Sequence, residues 1–289
     1  MHDIYILGSG AMGSLWASYF DSSHHLHFIQ RQVKHPAIYE FNVEPYNRQV
    51  KGDCLSPEEI QTSIQCLIIA TKAYDALTAL SGIQDRLAPD AMVILLQNGL
   101  GSQQAISKAF PTLRLFACSS TEGAYKKDTQ TLVHAGKGIN CIGALNPIAT
   151  QASLKQWLPS EHFQWHNEID SVLWRKFMIN CAINPLTVLY NCQNGELIKQ
   201  QQYLTHMQQL CDEIDLVTHA QHYQIENAFD LAKRVCELTA NNFSSMLQDK
   251  RKGNPTELSF MTGYLLQQAK TLGIDCPHNQ AVYQKLSHP

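Results

Sequence analysis

A chain of 289 residues with 44% apolar side chains is long enough to bury the cores of two ordinary domains. Its 22 basic and 25 acidic side chains leave a formal charge of −3, and no polybasic tract occurs, which excludes an electrostatic footprint for nucleic acid. The apolar runs, such as Met92 to Leu96, fall far short of the ~20 residues that cross a bilayer. No basic segment followed by an apolar one opens the chain, so a cytoplasmic protein is expected. Nine cysteines, an odd number with no C-x-x-C pair, read as reduced thiols packed as small apolar groups.

Ile4 to Leu7 is a short continuous apolar run that leads into Gly8-Ser9-Gly10-Ala11-Met12-Gly13, and a helical pattern follows through Leu15, Trp16 and Phe20. Similar runs at Leu26 to Ile29, Leu67 to Ala70, Met92 to Leu96 and Leu115 to Cys118 predict strands buried on both faces of a parallel sheet. Thr131 to His134 and Ile139 to Ile142 flank Gly136-Lys137-Gly138 and predict a hairpin at the sheet edge. Beyond about residue 167 the pattern becomes helical: Val172 to Leu189, Gln202 to His222, Ala228 to Leu247 and Leu258 to Leu272. Gly273 is placed to end the last of these in a left-handed cap, with Pro277 beyond. The fold class expected is α/β, with a Rossmann-type dinucleotide-binding domain over residues 1–167 and an all-α domain over 168–289.

The glycine pattern sits where a dinucleotide needs it, directly after a strand and opening a helix. Gly8 permits a tight turn, Gly10 lets backbone approach a pyrophosphate, and Gly13 permits close helix–strand packing. The helix N-terminus adds unpaired N–H groups and a positive dipole end. The second strand ends Phe28-Ile29-Gln30-Arg31, with no carboxylate for a ribose 2′-hydroxyl. Arg31 can instead pair with a 2′-phosphate, so NADP is expected over NAD.

Lys176, Asn180 and Asn184 recur every four residues, and each such step turns a helix by only ~40°, so an ammonium and two amides share one face. Asparagine is a poor helix former, and the neighbours Phe177, Met178, Ile179, Ile183 and Leu186 are apolar. Such a stripe either faces a ligand or hydrogen-bonds another helix, and both readings stand at this point.

Several of these segments, in order along nearly the whole chain, resemble the ketopantoate reductase (2-dehydropantoate 2-reductase) family. They are the Gly8 to Gly13 loop, Lys72, Asn98-Gly99, Trp174-Arg175-Lys176 with Asn180 and Asn184-Pro185-Leu186-Thr187. Asn194-Gly195-Glu196-Leu197, Ser244 to Asp249 and Thr256-Glu257 complete the set. The resemblance implies an oxidoreductase that reduces 2-dehydropantoate to pantoate with NADP(H), in pantothenate and coenzyme A biosynthesis. It implies Lys176 as the general acid, which suits the physics, since a developing alkoxide needs a positive donor and a dehydrated cleft can lower a lysine pKa. Glu257 would orient Lys176 and meet the cofactor. Further implied cofactor contacts are Ser9, Ala11, Met12, Arg31, Lys72, Asn98 and Ala124, beside the three glycines. Implied substrate contacts are Asn98, Asn180, Asn184, Asn194 and Ser245, with Ser244 and Asn242 as weaker candidates. Lys252 to Pro255 and Leu258-Ser259 depart from the family's pattern.

The expected partner is a small-molecule substrate, with no nucleic acid or membrane and a homodimer open as the assembly. No metal is expected, because His24, His25 and His27, like His219 and His222, lack a third ligand at convincing spacing. Two alternatives remain beside the leading reading: a reductase of another branched 2-oxo acid, and a non-catalytic NADP sensor. A sensor would not need Lys176 and Glu257.

Overall fold

The apolar runs of the first half become the centre of one sheet. The computed structural model describes residues 2–31, 33 and 37–287. Its strands are β1 (His2–Leu7), β2 (His24–Ile29), β3 (Ile38–Glu44), β4 (Arg48–Leu55), β5 (Ile64–Ile69) and β6 (Leu87–Leu95). They continue with β7 (Arg114–Ser120), β8 (Gly123–Lys126), β9 (Thr131–Gly136), β10 (Asn140–Ala144) and β11 (Gln164–Trp165). Their order is β11-β10-β7-β6-β5-β1-β2-β4-β3-β9-β8, and the stretch from β7 through β4 is parallel throughout.

Alternation along each strand feeds two cores. Ile4, Ile6, Phe28, Ile68, Ile94 and Phe116 pack on one face with Leu15 and Trp16 of helix α1 (Ala11–Ala17). Tyr5, Leu7, Ile29, Leu67, Ile69 and Val93 pack on the other, with Ala76 and Leu80 of α2 (Ala73–Ser81) and Ile106 of α3 (Ser102–Ala109). Both faces of the sheet are therefore covered, which explains why its strands read as unbroken apolar runs.

By its contacts the chain forms two compact units, Met1–Gln97 with Ser102–Asp170, and Asn98–Gly101 with Ser171–Pro289. A short helix α4 (Gln151–Lys155), opened by the Thr150 and Ser153 capping box, closes the first. In the second unit the helices are α5 (Ile169–Tyr190, which starts two residues before the cut), α6 (Glu196–Lys199), α7 (Gln201–Ala220), α8 (Ala228–Leu238) and α9 (Ser245–Arg251). They end with α10 (Thr262–Leu272) and α11 (Pro277–Ser287). Gly273 takes φ +67°, and Ile274 N–H donates to the Ala269 carbonyl at 2.9 Å, the left-handed cap expected after α10. No described helix is long and apolar enough to cross a membrane.

Three local expectations are corrected. β9 and β10 do not form a hairpin with each other. β9 pairs with β8 and β3, while β10 pairs antiparallel with β7. The turn that closes a hairpin is the one before β9, where Asp128 accepts from Gln130 N–H and Lys127 N–H donates to Thr131. Second, the single helix expected over Ala228 to Leu247 is two, because Ala240 and Asn242 offer their carbonyls to Gly195 and Asn194 N–H instead of continuing the helix. Third, Leu258–Phe260 is a separate 3₁₀ turn, cut from α10 by Met261 at φ −114°, ψ −99°. β3 and β4 escaped a search for continuous apolar runs because only alternate residues, such as Phe41, Val43 and Val50, face the core.

One buried carboxylate fastens the last helix. Glu213 of α7 accepts from His278 N–H (2.8 Å), Asn279 N–H (2.9 Å) and the Asn279 side-chain amide (2.7 Å) at the start of α11. Removing the acceptor leaves the two Asn279 donors buried and unmet. Glu213→Ala is expected to lower the unfolding free energy in urea by about 3 kcal/mol. Glu213→Gln, which keeps one carbonyl acceptor, should lose less; equal losses in the two variants would contradict the capping role.

Candidate active site

The loop from Gly8 to Gly13 uses each glycine differently. Gly8 sits at φ +105°, where a side chain is strained, and an added Cβ would meet Thr71 N at 2.9 Å. At Gly13 a Cβ would fall 2.2 Å from the Gly8 carbonyl, so only hydrogen lets α1 approach β1. Around Gly10 nothing lies within 4 Å of that position, and α1 has no side-chain cap on its first N–H groups. That open approach beside uncapped donors fits a pyrophosphate. Thr71 Oγ1 and Gln97 Oε1, at the C-terminal ends of β5 and β6, are buried without a partner among the described residues, and this end of a doubly wound sheet is where ligands bind.

The flanking residues are held in place. Gln30 Nε2 donates to Ser9 Oγ at 3.2 Å, tying the end of β2 to the loop. Ala124, on β8, packs against the same core as Ala11 and Met12. Lys72 is the residue that opens α2. Arg31 is 77% exposed and donates to Asp75 Oδ1 at 3.0 Å, in the first turn of α2. Sequence reasoning missed Asp75. It lies 44 residues from Arg31, and only the fold pairs them.

In the helical unit, α5 carries the polar stripe. Lys176 is half-buried and its Nζ donates to Asn98 Oδ1 at 2.8 Å. Asn98 reaches it because the following backbone is stitched down: Leu100 N–H donates to the Phe260 carbonyl at 2.8 Å. Gly99 takes φ +78°, and a Cβ there would fall 2.3 Å from the same carbonyl. Phe260 N–H in turn donates to the carbonyl of Glu257, which is only 4% exposed. Asn184 is buried, with Nδ2 on the Met261 thioether at 3.6 Å, a weak acceptor. Asn180, half-buried, lies between Lys176 and Asn184 on the same helix face.

The remaining amide and serines separate by task. Asn194 donates through Nδ2 to Thr239 Oγ1 at 2.9 Å, while its buried Oδ1 has no partner among the described residues. A Cβ on Gly195 would meet Ala240 Cβ at 2.7 Å, so the Asn194-Gly195 pair is what allows this close passage. Ser244 is spent on structure: its hydroxyl caps α9 through Leu247 N–H (3.1 Å) and bonds Thr187 on α5 (2.6 Å). Ser245 is exposed beside it. Asn242 is exposed and contributes its carbonyl to Asn194 N–H. Burial pushes the Cys192 and Cys276 thiols up to about 11 and Cys236 up to about 12, the wrong direction for a nucleophile.

Residues 4–147 match the family model described as ketopantoate reductase PanE/ApbA, and residues 168–289 match its C-terminal counterpart. A 2-dehydropantoate 2-reductase of Yersinia pestis is 31% identical over 97% of this chain and 93% of its own length. Among solved structures, a probable 2-dehydropantoate 2-reductase from Bacillus subtilis superposes with TM-score 0.78 at 25% identity, covering 99% of both chains. D-mandelate dehydrogenase with NADH and anilino(oxo)acetate shares the fold at TM-score 0.83 and 20% identity, over 98% of this chain and 96% of that one.

The three glycines should separate by experiment. Gly10→Ala meets open space, so its melting temperature should match the parent while dinucleotide binding, read by nicotinamide fluorescence, weakens about tenfold or more. Gly13→Ala should instead lose roughly 1–3 kcal/mol of stability through overpacking. Unimpaired binding in Gly10→Ala would remove the pyrophosphate from this loop.

Proposed function

Because the chain belongs to the ketopantoate reductase family of oxidoreductases, we propose that it reduces 2-dehydropantoate to pantoate with NADPH, a cytoplasmic step toward pantothenate and coenzyme A. Residues 1–167 would hold the cofactor, through the Gly8 to Gly13 loop, Arg31, Lys72 and Ala124. Residues 168–289, with Asn98, would carry substrate and proton chemistry. The observation that carries this reading is the Lys176 to Asn98 bond, with Asn180 and Asn184 following at four-residue steps on the same helix.

NADPH held by the residues of the glycine loop would supply the hydride for the substrate's C2. Lys176 stabilises the negative charge that develops on the carbonyl oxygen and delivers the proton there. Asn98 Oδ1 accepts from the ammonium and so fixes its direction, which leaves the amide Nδ2 to donate to ribose or substrate. Glu257, buried near the Asn98 to Gly101 stitching, orients Lys176. Asn180 and Asn184 bind the substrate's polar groups, and the unmet Asn194 Oδ1 accepts from a substrate hydroxyl. Ser245 takes the substrate carboxylate, since the Ser244 hydroxyl is already committed to its cap.

Arg31 accounts for the preference for a 2′-phosphate, and its partner Asp75 opposes that preference. An exposed ion pair of this kind contributes only ~0–1 kcal/mol, so a phosphate with more charge and three acceptor oxygens displaces the carboxylate.

Oxidation of NADPH should be rapid with 2-dehydropantoate and slow with NADH or with other 2-oxo acids; faster turnover of a different branched 2-oxo acid would move the substrate and keep the mechanism. Lys176→Ala should reduce kcat by roughly 10²–10⁴ while NADPH still binds. Retained turnover would end the general-acid role, and NADPH binding without turnover of any 2-oxo acid in the parent protein would favour a sensor. Asp75→Asn should raise NADPH affinity, by up to about fivefold on the scale of an exposed pair, and leave NADH nearly unchanged. An unchanged ratio of the two cofactors would place the 2′-phosphate elsewhere.

A further inference from the structure

Spacing along the chain gave His25 and His27 no third ligand, but the sheet supplies two carboxylates. His25 and His27, two residues apart on β2, point to one face. The parallel register sets Asp3 of β1 beside His25, and Asp53 of β4 beside His27. Asp3 Oδ1 lies 3.5 Å from His25 Nδ1 and 3.1 Å from His27 Nε2. Asp3, His25 and His27 each offer one ligand atom, and those atoms lie within 4.8 Å of one another. Asp53 Oδ2 addresses the opposite nitrogens, 2.9 Å from His25 Nε2 and 3.9 Å from His27 Nδ1.

We propose that Asp3 Oδ1, His25 Nδ1 and His27 Nε2 form a binding site for a first-row divalent transition ion of the zinc class, with Asp53 orienting the His25 imidazole from behind. Tetrahedral bonds of ~2.0–2.1 Å put neighbouring ligand atoms ~3.3 Å apart, which is the spacing already present around Asp3. Two imidazoles with one carboxylate suit zinc, cobalt, nickel or copper better than magnesium or calcium. A carboxylate on the outer nitrogen is the usual way such a histidine is held in the correct tautomer.

Two further observations point the same way. His27 is only 8% exposed, so the imidazole whose Nε2 faces Asp3 is already withdrawn from water. Its ring is stacked on Tyr5, centroids 4.5 Å apart, and the Tyr5 hydroxyl is tied to Thr62 Oγ1 at 2.8 Å, so the imidazole is held before any ion arrives. Asp3 and His25, by contrast, have side chains 52% and 46% exposed, leaving the outer side of the site to water ligands. His24 is not part of the set; its Nδ1 is bonded to Asp21 at 2.9 Å. The cluster flanks the N-terminal end of β1, whereas the glycine loop follows its C-terminal end. An ion here would staple β1 to β2 and leave the reductase chemistry alone.

The test uses the full chain, stripped with a chelator and desalted, then titrated with Zn²⁺ by calorimetry and with Co²⁺ by visible absorption. One equivalent of Zn²⁺ should bind the parent and raise its melting temperature. Asp3→Asn and His25→Gln, at exposed positions chosen because a buried His27 variant can fail to fold, should lose that equivalent and the Co²⁺ spectrum. Asp53→Asn should weaken binding roughly 10- to 100-fold and keep the spectrum. NADPH-dependent turnover should be the same in the metal-free parent, Asp3→Asn and His25→Gln, which separates failure of this site from failure of the reductase reading. The proposal is overturned if the parent shows no saturable one-equivalent binding, or if Asp3→Asn and His25→Gln bind as the parent does, since the ion would then sit elsewhere.

Discussion

The bond from Lys176 to Asn98 is the constraint on which the chemistry proposed for the helical unit depends. A half-buried ammonium needs an acceptor, and a loop amide is a demanding choice because the loop must be held as firmly as the helix. The backbone meets that demand. Leu100 is pinned to the Phe260 carbonyl, Gly99 passes so close to it that no side chain fits, and Phe260 is bonded to Glu257. Asn98–Gly101 therefore packs with the helices although it follows β6 in sequence. An amide oxygen also fixes the ammonium's direction without cancelling its charge through that bond, which suits the role proposed for it, meeting a developing anion.

Polar groups around α5 divide into those satisfied by protein and those left wanting. The Ser244 and Thr187 hydroxyls find partners in the fold, so a change there is felt as lost stability, whereas the Asn184 amide meets only the weak thioether acceptor of Met261. Asn194 is split, with its amide nitrogen anchored on Thr239 and its oxygen buried and unmet. Leaving an acceptor buried and unpaired costs about 1–3 kcal/mol. Retaining it is reasonable where a ligand's donor completes it, and the same argument applies to Thr71 Oγ1 beside the glycine loop.

How much of this was legible in the chain follows from the range of the interactions. The glycine loop is local: three residues within six positions carry a turn, an open approach and a tight crossing, so spacing alone assigned their tasks. The stripe of Lys176, Asn180 and Asn184 was legible because helical periodicity is local too. β3 and β4 were missed because each buries only alternate residues and pairs with the other, and the hairpin was misdrawn because β9 folds back on the preceding β8 and lies beside the distant β3, leaving β10 to pair with β7. Nothing in the spacing of Asn98 or Asp75 announces the partners that the tertiary fold gives them.

The parallel sheet shows why such partners escape a linear search. In a strand the period of two puts alternate residues on one face, and the register with neighbouring strands then decides which side chains from distant sequence share a row. At the C-terminal ends of β1, β5 and β6 that rule gathers Gly8, Thr71 and Gln97 beside the glycine loop. Near the N-terminal end of β1 it gathers Asp3, His25, His27 and Asp53 from three strands. Two histidines two residues apart look inert in the sequence because their possible ligand partners lie 22 and 26 positions away from the nearer imidazole. Register converts those separations into distances of 2.9–3.9 Å, and with them one exposed and one buried imidazole come to share a pair of carboxylates.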